Sequence, residues 1–243
     1  MRFQIVVPAG AVEPWISKCI SSVLGQTYTN WRMAVILDPQ GDNSYEKAVE
    51  ASRGDPRIRV IKNDECKLAL HNIVDGAKLL SEGDTDEDVL VLLDGDDWLT
   101  DSNSLEIVKK YYDHGNTLLT HGDYKTSDNS PKATLSPYNI GDNVRSAQWK
   151  ATHLRTMKMK VWNKIKEEDL KNDKGVFFES AWDLAIMMPA IEIAGLFNIR
   201  YVSEPVYTYN TENPVSDFRK RPDEQGMYEK LIRNRPPYQK VEF

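Results

Sequence analysis

Three carboxylates stand together where an apolar run stops: Val89-Leu90-Val91-Leu92-Leu93 leads directly into Asp94-Gly95-Asp96-Asp97. Acids so close repel one another unless a hard divalent cation neutralises them, and Mg²⁺ or Mn²⁺ held there could bridge to a substrate diphosphate. Asp-Gly is also ordinary turn chemistry, so the same residues can be read as acids solvating a loop. Further on, His153 and Arg155 lie in a stretch from Arg145 to Lys166 that holds seven bases and no acid. His153 could complete a metal shell, and Arg155 or Lys158 could hold a leaving diphosphate, because guanidinium and ammonium groups match phosphate oxygens. A helix-end histidine without a partner is the plainer alternative. Two more acids, Glu179 and Asp183, flank Ser180-Ala181-Trp182. If Ser180 is an N-cap, Asp183 falls at a capping-box position and is stabilised by the helix dipole.

The elements that must position these groups follow from apolar periodicity. Strands are expected at Arg2 to Val7, Arg32 to Leu37, Ile58 to Ile61 and Val89 to Leu93, with helices between them. Pro14 suits a first helical position, and Trp15, Ile16, Cys19, Ile20, Val23 and Leu24 form one apolar face ending at Gly25. Further helices read from Ser44 to Ala51 and from Lys67 to Leu80. This β-α-β-α-β-α-β order predicts a mostly parallel sheet covered by helices, and such sheets bind ligands at the carboxyl ends of their strands, where Asp94 falls. Beyond it the pattern predicts a helix from Ser104 to Tyr112, a strand at Thr117 to Thr120 and a polar loop from Asp123 to Asn143. Helical spacing returns at His153 to Ile165 and Ser180 to Ala194, before a pair of strands at Ile199 to Val202 and Val206 to Tyr209.

Four segments, in order, resemble the inverting GT-A glycosyltransferases of family 2. Ile5-Val6-Val7-Pro8 is similar to the family's opening strand and Ile20-Ser21-Ser22-Val23-Leu24-Gly25-Gln26-Thr27 to its first helix end. Val35-Ile36-Leu37-Asp38 is similar to its second strand, and Leu92-Leu93-Asp94-Gly95-Asp96-Asp97-Trp98-Leu99 to its Asp-x-Asp strand end. The resemblance implies a GT-A, Rossmann-like α/β fold and transfer of a sugar from a nucleoside-diphosphate sugar to an acceptor hydroxyl, with Mn²⁺ or Mg²⁺ as cofactor. It implies that Asp38 accepts a hydrogen bond from the base, that Asp94 and Gly95 face the nucleotide, that Asp96 ligates the metal, and that Lys67 contacts base or diphosphate. Cys66 stands where the family has glycine, and Pro8-Ala9-Gly10 replaces its usual polar residues, so Pro8 and the backbone of Ala9 are expected to meet the donor. The general base that inverting transfer needs is implied to be Asp183, with Glu179 as the other member of the acidic pair.

Composition bounds the remaining classes. The chain has 243 residues and a formal net charge of -6, against the cationic face that general nucleic-acid binding requires. The stretch Glu82 to Asp101 concentrates nine acids with no base. If it faces the basic stretch across a cleft, a cation and an anionic ligand could sit between them. Cys19 and Cys66 have neither zinc-site nor disulfide spacing, and no run of 18 apolar residues predicts a transmembrane segment. The expectation is a cytoplasmic chain, with peripheral membrane association open. It reads as one domain over residues 1–214, with a donor-binding half (1–100) and an acceptor half (101–214), followed by a charge- and proline-rich arm (215–243). Glycan, glycolipid and glycoprotein acceptors fit equally. A nucleotidyltransferase would need a glycine-rich basic loop where Ala9-Gly10-Ala11-Val12-Glu13 stands, and an Asp-x-Asp phosphatase would carry its acids after the first strand. A sugar- or nucleotide-binding module without turnover is the alternative from outside the enzymes.

Overall fold

Successive residues of strand β1 (Phe3–Ala9) point to opposite sides of the sheet, and both sides are buried. Phe3, Ile5 and Val7 enter one core and Val6 the other, the burial expected of a central parallel strand. The computed structural model describes residues 1–132, 135–214 and 222–243. In it, β1 lies between β2 (Trp31–Leu37) and β4 (Val89–Leu92), parallel to both, and β3 (Ile58–Lys62) extends the sheet beyond β2. The connections run through α1 (Ile16–Leu24), α2 (Ser44–Ser52) and α3 (Leu68–Leu80), as the sequence pattern requires. Strand order among the described residues is β3-β2-β1-β4-β7-β6-β8-β5. Since β1 is flanked by β2 on one side and β4 on the other, a crevice opens beyond their carboxyl ends.

The second half departs from the expected elements. Residues Arg155–Lys158 form strand β7, antiparallel to β4 with Val91 opposite Thr156, and only Met159–Trp162 (α5) is helical. The helical spacing of the His153 to Ile165 segment misleads because Leu154 and Met157 look like one helix face. They lie in different cores, as residues an odd number apart on a strand must. Strand β5 (Trp98–Leu99) and helix α4 (Ser104–Asp113) follow the acidic turn. Strand β6 (Leu119–Thr126) then runs on into the segment expected to be loop. The expected strand pair near the end is one long strand, β8 (Ile199–Tyr209), parallel to β6 and antiparallel to β5.

Helix α6 (Trp182–Ala194) is buried on all sides from Leu184 to Ile191, which makes it a core element of the second half. Helix α7 (Pro222–Arg233) packs Tyr228 and Ile232 into that same core. Arg233 donates to the carbonyls of Arg145 and Ala147, at 2.9 and 3.1 Å, tying the C-terminal segment to the chain that leads into β7. Residues 215–221, where the expected arm begins, lie outside the described residues. No helix of the described residues is long and apolar enough to cross a membrane.

Candidate active site

Beyond the carboxyl ends of β1, β2 and β4 lies a cleft of about 430 Å³. Pro8, Ala9, Asp38, Asp94, Gly95 and Asp96 line it from the first half of the chain, and His153, Arg155, Asp183 and Asn213 from the second. The acidic turn reaches it because β4 stops at Leu92 and the Gly95 amide bonds the Pro8 carbonyl at 3.2 Å. A Cβ on Gly95 would lie 2.8 Å from the Ala9 Cβ and 3.2 Å from the Pro8 oxygen, so the turn can hug β1 only with glycine there.

The three acids of the turn take different partners. Asp96 accepts from Asn213 Nδ2 at 2.7 Å. Asp97, 1% exposed, accepts from the Asn210 amide at 2.7 Å and from the Tyr207 hydroxyl. Asp94 lies 3.3 Å from that same hydroxyl. Burial, with Asp96 beside it, pushes the Asp94 carboxyl up to about 7 against the opposing pull of Arg155. Asp97 is raised well above the usual range by burial and by the charges of Asp96 and Asp94. Burial and mutual repulsion thus disfavour the ionised forms of these carboxyls, and a divalent cation among them would favour ionisation.

Ligand atoms of Asp94, Asp97 and His153 lie within 4.8 Å of one another. Asp94 and His153, two of the residues expected to hold a metal, are in this group together with Asp97, and Asp96 lines the same cleft beside them. His153 is no partnerless helix-end residue: its ring stacks on Tyr207 with centroids 4.4 Å apart, and Arg155 Nη1 lies 3.2 Å from its Nδ1. Burial, reinforced by Arg155, depresses its pKa well below the ordinary value, which keeps the ring neutral. Arginine only donates, so Nδ1 accepts and the ring proton sits on Nε2. Ligation through Nδ1 therefore requires Arg155 to let go.

Arg155, 5% exposed, also donates through Nε to the Ala151 carbonyl at 3.0 Å and through Nη2 to Asp183 Oδ2 at 3.0 Å. Asp183 is the second residue of α6, and Ala181, not Ser180, holds the N-cap position, with no side-chain cap there. The capping-box reading of Asp183 is therefore replaced by an ion pair facing the cleft. Glu179 is not among the residues lining the cleft.

At the other end of the cleft, Asp38 is occupied by the protein itself. Its Oδ1 accepts from Asn63 Nδ2 at 2.9 Å and the Lys67 amide at 3.0 Å, and its Oδ2 accepts from the Leu68 amide at 2.8 Å. Burial alone would raise its pKa, but the hydrogen bonds from Asn63, Lys67, Asn72 and Leu68 outweigh it and hold the carboxyl below its usual range. Cys66 and Leu68 reach the cleft, whereas the Lys67 ammonium turns to Asp75 at 2.8 Å and lies outside the lining. Tyr207, Asn210, Asn213 and Asn63 are the site residues that sequence reasoning missed. For Tyr207 and Asn210 a signal existed, since they sit on or just after the expected strand Val206 to Tyr209, but no motif marks which of its side chains turn toward Asp97.

Residues 4–176 match the model of glycosyl transferase family 2, and the chain belongs to that family. It is 33% identical over 128 residues to the UDP-Glc:alpha-D-GlcNAc-diphosphoundecaprenol beta-1,3-glucosyltransferase WfgD of Escherichia coli, covering 52% of this chain and 47% of that protein. It is 26% identical over 225 residues to the uncharacterized glycosyltransferase EpsJ of Bacillus subtilis, covering 88% of this chain and 62% of that one. The chain thus spans about half to three-fifths of the length of these curated relatives. Among solved structures, S. aureus TarS superposes with a TM-score of 0.66 at 16% identity, covering 96% of this chain and 39% of that one. The mannosyltransferase PcManGT of Pyrobaculum calidifontis, in complex with GDP-Man and Mn²⁺, gives 0.61 at 12% identity, with 98% and 66% coverage. These likenesses establish the GT-A fold.

Proposed function

We propose that the protein is an inverting, divalent-metal-dependent glycosyltransferase that moves a sugar from a nucleoside-diphosphate sugar to an acceptor hydroxyl. The observation that carries this reading is the convergence on one cleft of a buried acidic turn, a buried arginine and a carboxylate at the start of α6. Asp94 and Asp97 would hold Mn²⁺ or Mg²⁺, and His153 would join them once Arg155 leaves its Nδ1. Bound there, the cation supplies positive charge to the diphosphate as its oxygen departs.

The nucleoside lies against Pro8, Ala9 and the Asp38 turn, with Cys66 and Leu68 beside it. Arg155 turns its fork from Asp183 toward the diphosphate, since a phosphate and a carboxylate compete for the same donors. This frees Asp183 to take the proton of the acceptor hydroxyl as its oxygen attacks the anomeric carbon. The new C–O bond forms on the face opposite the breaking C–O bond, the leaving nucleoside diphosphate keeps the electron pair, and the anomeric configuration inverts. The E. coli relative is named for an undecaprenol-linked acceptor. A lipid-linked glycan is accordingly the first acceptor class to try, with the enzyme peripheral to the membrane that carries it.

The test is to incubate the protein with UDP-, GDP- and dTDP-sugars and lipid-linked or soluble acceptors, with Mn²⁺ or with chelator, and to follow nucleoside diphosphate release. Metal-dependent release that rises with acceptor and is lost in Asp183→Asn is expected. Release that is indifferent to chelation would refute the metal part. No acceptor-stimulated release from any donor would refute the transferase.

A further inference from the structure

All three groups of the Asp94, Asp97 and His153 cluster touch one side chain that no motif singles out. Tyr207 sits in β8 with no exposed surface and is not among the residues lining the cleft. Its hydroxyl bonds Asp97 Oδ2 and lies 3.3 Å from Asp94 Oδ2. Its ring stacks on His153 at 4.4 Å between centroids, with the planes 15° apart. Strand register fixes this arrangement from the far side, because Tyr207 pairs with Leu99 of β5 and with Tyr124 of β6. The β5 pairing anchors the chain two residues after Asp97.

We propose that Tyr207 is the positioning residue of the metal site, setting the carboxylate oxygens of Asp94 and Asp97 and the plane of the His153 ring from behind; this rests on the metal-dependent reading above. A phenol suits the task because its hydroxyl serves a carboxylate while its flat body packs against the imidazole. A ligand set held in advance loses less freedom on binding a cation, and groups that orient metal ligands commonly change affinity by about 10 to 100-fold when removed. Tyr207 does not line the cleft, so its effect on turnover passes through the metal site.

Tyr207→Phe removes the hydroxyl and keeps the ring. Mn²⁺ binding, followed by the electron paramagnetic resonance of the free ion, should weaken about 10 to 100-fold in this variant. Its melting temperature without metal should stay within a few degrees of the parent, and turnover should recover at high Mn²⁺. A parent that binds Mn²⁺ and a Phe variant that binds it equally well overturn this proposal and leave the metal reading standing. A parent that binds no Mn²⁺ overturns both. If the variant fails to fold, 3-fluorotyrosine placed at position 207 of the otherwise native chain gives a second measurement. Its ¹⁹F resonance should shift saturably with Mg²⁺, and a resonance that does not move while Mg²⁺ binds overturns the proposal.

Discussion

Arg155 and Asp183 meet 3.0 Å apart, guanidinium Nη2 to carboxylate Oδ2, joining β7 to the first turn of α6 on the wall of the cleft. Both side chains are largely withdrawn from solvent, at 6% and 19% exposure. An oxygen bonded to arginine is hindered from taking a proton, so the proposed reaction requires the donor diphosphate to draw Arg155 away. Asp183→Asn should keep donor affinity, because that part of the cleft is built by β1, β2 and β4, while transfer falls by roughly 10² to 10⁴-fold. Donor titration and transfer rate on the same preparation test this. Loss of both together would make Asp183 a structural residue.

Arg155→Ala should weaken nucleoside diphosphate binding by about 1 to 3 kcal/mol, the range for a charge-assisted contact. Arg155→Lys should recover only part of it, since an ammonium cannot offer Nε, Nη1 and Nη2 together. Calorimetric titration of the diphosphate into the three proteins decides the matter, and equal affinities would remove Arg155 from the donor site.

Gly95→Ala tests the close approach of the acidic turn to β1. With the new Cβ set 2.8 Å from Ala9 Cβ and 3.2 Å from a backbone oxygen, the turn must shift. Overpacking of this kind costs about 1 to 3 kcal/mol, and donor affinity should fall with it because Asp94 and Asp96 move. Unchanged thermal stability and donor binding would mean that the turn has room.

The first half of the fold is legible because β1, β2 and β4 are buried apolar runs, and α1 and α3 each carry one apolar stripe. The Asp94 to Asp97 turn was legible for the same reason: the run that precedes it can only be buried. His153 to Ile165 was misread since a doubly buried strand such as β7 has no alternation, and Leu154 and Met157 happen to fall at helical spacing. Lys67 is expected at the ligand, but its partner Asp75 lies about two helix turns along α3, and sequence does not say which of two nearby anions an ammonium chooses. Tyr207 escaped notice because its role depends on strand register in β8, which only the folded sheet specifies.

His121 gives a pH signature. It is fully buried in β6 between Tyr138 and Tyr201, neither ring nitrogen makes a hydrogen bond of good geometry, and burial lowers its pKa to about 4. Between pH 6.5 and 4 the unfolded chain binds a proton here that the folded chain refuses, so stability present above pH 6.5 is lost as pH falls through this window. The loss approaches about 3 kcal/mol at the acid end, and His153 acts in the same direction. His121→Phe should flatten this slope and leave stability at pH 7 equal or higher, since it removes unpaired polar atoms while keeping an aromatic ring. Urea denaturation at several pH values measures it, and an unaltered slope would exonerate His121.

The proposed transfer requires a cation held by the acidic turn and shared with the donor diphosphate. Isothermal titration of UDP and of GDP into the protein, once with Mn²⁺ and once after chelation, measures that coupling directly. The expected result is binding of at least one of them that weakens on chelation by about 1.4 kcal/mol or more, a factor of ten, and that loses its Mn²⁺ dependence in Asp94→Asn. The same affinity with and without Mn²⁺ in the parent would contradict the account.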